Sequence, residues 1–142
     1  ELHYVRPLPE DDGVDVPEAF KKVDLSLTSF FDLSLNIEGN TLTLTGKDGE
    51  IWYRAERGCW SKISRKVHCS PFYTEKDSMD TPVIGAWGVK NGALTIRVYE
   101  IEFLEEDTLT LTEAEDGIHV SFANTTIPSN PNEYVKKVIE HS

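Results

Sequence analysis

Between residues 31 and 122 the side chains alternate, apolar then polar, in short runs that stop at an Asx–Gly pair. Phe31, Leu33, Leu35 and Ile37 alternate with Asp32, Ser34 and Asn36, and the run ends at Gly39-Asn40. Leu42 and Leu44 alternate with Thr41, Thr43 and Thr45 before Asp48-Gly49 turns the chain into Ile51, Trp52 and Tyr53. Later runs cover 83–89, Leu94, Ile96 and Val98, then Ile101 and Phe103 after a phase shift near Glu100. Leu109 and Leu111 follow, and Ile118, Val120 and Phe122 close the series after Asp116-Gly117. A two-residue period buries one face of a strand, and Asx–Gly supplies the positive φ that tight hairpins need. Asn91-Gly92 is the strongest such signal. The pattern predicts an all-β fold: an antiparallel up-and-down barrel of about 8–10 strands, one sheet curled into a closed or nearly closed tube. Residues 40–51 and 107–118 echo each other as Asx-Thr-Leu-Thr-Leu-Thr followed by Asp-Gly, so each half is expected to hold a three-strand meander.

The flanks are expected to differ. Residues 1–16 hold Glu10-Asp11-Asp12 with few apolar anchors and read as a linker or tail, ordered only if docked. Residues 17–142 read as one domain. Pro17, with Asp15 and Glu18 nearby and Phe20 three residues before Val23, predicts a short N-terminal helix. Asn130, Pro131 and Glu133 look like a helix start, and Val135, Val138 and Ile139 form a helical stripe, predicting a C-terminal helix. The segment 70–82 reads as a polar loop, and another strand is expected over 60–67.

Charge narrows the partners. Fourteen Lys and Arg against twenty-five Asp and Glu leave a net charge of −11 over 142 residues, which repels phosphate backbones and anionic membranes. No apolar run is long enough to span a bilayer, and no leader is read at Glu1, although a removed one would leave the compartment open.

Chemistry-bearing motifs are sparse. There is no Gly-x-Ser-x-Gly and no Ser-x-x-Lys, and Ser34-Leu35-Asn36 reads as plain strand. His68 and Cys69 are adjacent, so in an extended segment they point to opposite faces. Cys59 and Cys69, ten residues apart, would lie about 33 Å apart along one strand, far beyond the roughly 7 Å a disulfide tolerates. Free thiols are therefore expected unless a turn near Ile63–Ser64 folds the segment back. His3, His68, His119 and His141 are scattered, so neither a metal nor another cofactor is expected. Glu100 and Glu102 are two apart, about 6.6 Å along a strand, near the spacing of a glycosidase pair, but solvent-facing charges give the same pattern. Asn124-Thr125-Thr126 fits a glycosylation acceptor, a three-residue match of little weight. The aromatics are more informative: Trp52, Trp87, Tyr99 and Phe103 are candidate barrel-lining residues, serving as core or as walls for one small apolar ligand.

Ala86-Trp87, the run 94–103 ending Tyr-Glu-Ile-Glu-Phe, Leu109-Thr-Leu111 and Val120-Ser-Phe122 together resemble a known appendage. This is the lipocalin-like C-terminal accessory domain of bacterial serine hydrolases related to class C β-lactamases and penicillin-binding proteins. Residues 33–37, 41–45 and Gly58-Cys59-Trp60 fit the same layout, so the likeness covers about 31–126; His119 departs where that family would carry Asn. The resemblance implies a noncatalytic domain beside a hydrolase domain, shaping substrate access or assembly, in a bacterial envelope or secreted setting. No catalytic residue carries over, because the serine and lysine of such proteins lie in the other domain. A stand-alone lipocalin-like binder of a small apolar ligand is the alternative.

Overall fold

The computed structural model describes residues 8–28, 32–63, 83–100, 105–126 and 130–140. Among the described residues ten antiparallel strands follow one another in chain order: β1 (Lys22–Asp24), β2 (Leu33–Glu38), β3 (Thr41–Gly46), β4 (Ile51–Glu56), β5 (Ser61–Ile63), β6 (Val83–Lys90), β7 (Ala93–Glu100), β8 (Glu105–Ala114), β9 (Gly117–Thr126) and β10 (Asn130–Glu140). Within the described residues the alternation became strands and the hairpin signals became turns, while Phe31, Ile101, Phe103 and residues 64–67 lie outside them. At Asn91-Gly92 both residues take positive φ, 53° and 79°, joining β6 to β7 with Lys90 opposite Ala93.

The closed tube is corrected. Among the described residues hydrogen bonding divides the strands into a four-stranded sheet, β1-β2-β3-β4, and a six-stranded sheet, β10-β9-β8-β7-β6-β5. The break falls after β4, because three-residue β5 covers only the Val83–Gly85 end of β6. Beyond it, a single parallel bridge joins Arg57 to Trp87. Both sheets face one core. Leu33, Leu35, Ile37, Leu42, Leu44, Tyr53 and Ala55 from the first meet Trp87, Val89, Leu94, Ile96, Leu109, Leu111, Val120 and Phe122 from the second. Leu42 with Leu44 and Leu109 with Leu111, the repeated Leu-Thr-Leu, are the buried leucines of two middle strands, β3 and β8.

Both terminal helices are corrected too. A 3-10 turn of three residues, Glu18–Phe20, is all that forms after Pro17, and β1 begins two residues later. Phe20 and Val23 are nevertheless buried, so the predicted anchors hold without the helix. A second 3-10 turn, Leu25–Thr28, buries Leu25 in the core. At the C-terminus the expected helix is β10, paired with β9 from Asn130↔Thr126 to Glu140↔Gly117. Its register slips between Pro131 and Glu133, a place where a residue without an N–H does no harm. Among the described residues no helix is long and apolar enough to cross a membrane.

Residues 8–16, the expected tail, lie against the body: Pro9 and Val16 are buried.

Candidate functional site

Of the four candidate lining residues, Trp87 and Tyr99 are the two whose side chains are described, and they lie on opposite faces of the six-stranded sheet. Trp87 is fully buried, and its indole N–H donates to the Ala55 carbonyl at 3.0 Å, tying β6 to β4. Tyr53 crosses the core from β4, with its hydroxyl 3.4 Å from the carbonyl oxygens of both Ala86 and Arg97. Tyr99 is buried but stands on the other side of the six-stranded sheet: it pairs with Ile84, whereas Trp87 pairs with Ile96. Trp52 sits at the register shift of β4, between the residues paired with Leu44 and Thr45. Phe103 lies outside the described residues, as do Cys69, His68 and Glu102. Glu100 ends β7 opposite Glu105. Cys59 is exposed with a free thiol.

A dense polar constellation lies, among the described residues, where the two sheets separate, at the edge of β6. Gly58 N–H donates to the Trp87 carbonyl at 2.8 Å, and Asp12 N–H donates to the Val89 carbonyl at 2.9 Å. The Val89 N–H donates to Asp11 Oδ1 at 3.0 Å. Arg57 clamps the arrangement: its Nε donates to the same Asp11 oxygen at 2.9 Å and its Nη2 to the Val14 carbonyl at 2.6 Å. The guanidinium lies over the Trp87 ring, 5.6 Å from its centroid. Asp12 closes its own turn, accepting from Val14 N–H at 3.1 Å and from Asn91 N–H at 3.2 Å. The strap formed by 9–14 therefore completes the edge that β5 is too short to cover.

Gly88 records how close the strap comes. A Cβ there would lie 2.6 Å from the Glu10 carbonyl oxygen and 2.9 Å from Asp11 Cβ. Partial burial pushes the Asp11 carboxyl up, but the Val89 N–H, the Arg57 guanidinium and the Gly13 N–H outweigh it and hold the group below its ordinary 3.8. No sequence signal marked Arg57; the acidic triplet was visible, but not its partner.

Other polar groups lie elsewhere among the described residues. Asp24, Ser26, Asp32, Ser34, Thr45 and Lys47 line a shallow, half-open recess of about 190 Å³, where Lys47 pairs with Asp32 at 3.5 Å. In the six-stranded sheet, Arg97 Nε lies 3.7 Å from Glu106 Oε2, and Asp107 is buried opposite Val98. Among the described residues no group of three or more His, Cys, Asp or Glu is placed to hold a metal ion. No protein-family model, curated protein or solved structure matches the chain.

Proposed function

We propose that this chain is a noncatalytic accessory domain, packed beside the catalytic domain of a bacterial serine hydrolase and shaping substrate access or assembly there. The observation that carries this reading is the occupied interior. Phe20, Leu25, Leu35, Leu42, Tyr53, Trp87, Leu94 and Ile96, from both sheets and both 3-10 turns, are each 2% exposed or less and share one cluster. The Trp87 N–H is committed to backbone, and the Arg57–Asp11 pair to holding the strap. Such an arrangement stabilises a scaffold, and its value to a larger protein lies in its outer surface. The link to a serine hydrolase rests on the strand motifs quoted above, from Ala86-Trp87 to Val120-Ser-Phe122. A stand-alone binder of an apolar ligand needs interior room where these side chains sit, and is the weaker reading.

An antibody against this chain, used on its source cells, tests the proposal. The captured polypeptide is expected to exceed 16.0 kDa and to be labelled covalently by a fluorescent β-lactam or fluorophosphonate. Capture of an unlabelled polypeptide of the size of this chain overturns it. A lipophilic fluorophore that saturates the isolated chain one-to-one would favour the binder.

A further inference from the structure

The edge of β6 at Trp87–Val89 is a strand-acceptor site that the chain fills with its own residues 10–12, and every copy of the chain carries the same segment. We propose that the strap is an exchangeable arm: residues 10–12 of one copy occupy the β6 edge of a second, giving a dimer in which two arms are traded. The acceptor is specific. It offers the Val89 N–H and carbonyl to an extended backbone and Arg57 to an acidic side chain, with the missing side chain of Gly88 leaving space for the Glu10 carbonyl.

The hold on the arm is polar. Of residues 8–15 only Pro9 is buried, and Leu8 and Val14 are exposed, so the arm itself gives up little apolar burial on release. A hinge is in place as well. Gly13 has φ 75° with nothing within 4 Å of where a Cβ would be, at the tight turn closed by Asp12 and Val14. Opening that turn reaches a neighbour and re-forms the same bonds there, which is how exchanged dimers arise at low cost. Because the contact is identical within and between copies, Arg57 sets the rate of exchange, and the hinge and protein concentration set its extent.

A charge-swapped pair of full-length chains tests this. Arg57→Glu keeps the arm and spoils the acceptor; Asp11→Arg keeps the acceptor and spoils the arm. Each alone is expected to be monomeric by light scattering, and the equimolar mixture, refolded together at high concentration, to yield a one-to-one heterodimer in which both contacts are restored. Gly13→Val in the otherwise native chain provides a second reading. Each exchanged dimer opens two such turns, so at roughly 1.4 kcal/mol of left-handed backbone strain apiece the dimerisation constant is expected to rise about a hundredfold. A mixture that stays monomeric, together with a Gly13→Val chain that also stays monomeric, overturns the proposal.

Discussion

Asp11 is a residue whose ionisation the fold uses. Its carboxyl titrates lower in the folded chain than in the unfolded one, so its contribution is complete above the ordinary value of 3.8 and is lost as pH falls through the lowered folded value. Asp11→Asn is therefore expected to destabilise the chain at neutral pH, and the difference from the native chain to vanish in acid; denaturant midpoints measured across pH check the sign. Arg57→Ala removes both strap bonds from a half-buried pair and is expected to cost about 2 kcal/mol by the same measurement. Trp87→Phe retains most of the ring but leaves the Ala55 carbonyl without its donor; a loss of about 1–3 kcal/mol is expected in chemical denaturation. Little of this was legible beforehand. Glu10-Asp11-Asp12 carries the composition of a solvated tail, and the arginine that docks it lies 46 residues away in an unremarkable context.

At the scale of elements, reading by period succeeded where one face of the chain is buried and failed where two periods fit the same residues. Residues 33–37 and 42–44 alternate without ambiguity, and each became a strand. In 130–140, Val135, Val138 and Ile139 satisfy a helical stripe, while Val135 and Ile139 also share one face of a strand. Pairing with β9 decides between them, since β-branched residues gain more from the pleated sheet than from a helix. Val138, about one-third exposed, separates the two cases. Val138→Ala would strengthen a helix; here it is expected to lower the unfolding free energy by about 0.5 kcal/mol, measured by urea titration. Likewise, Pro17 and Phe20 promised more helix than the chain has room for, because β1 must start at Lys22 to pair with Asn36.

For the molecule as a whole, the all-β class, the meander order and most of the core were visible in the alternation. The division into two sheets was not, because periodicity fixes which side of a strand is buried and says nothing about where a ladder is interrupted. That depends on the three-residue length of β5. Both sheets contribute to one core cluster, so the two are expected to unfold together. Tryptophan emission and far-ultraviolet dichroism are expected to report a single shared unfolding midpoint; two resolved midpoints would mean that the sheets are independent. The strap has a further consequence in time. Asp11 waits for Val89, 78 residues later in the chain. During synthesis at roughly 5–20 residues per second the arm leaves the ribosome about 4–16 seconds before its berth exists. For that interval its three consecutive carboxylates keep it hydrated, and a segment made well before its berth is among the last of this domain that can settle.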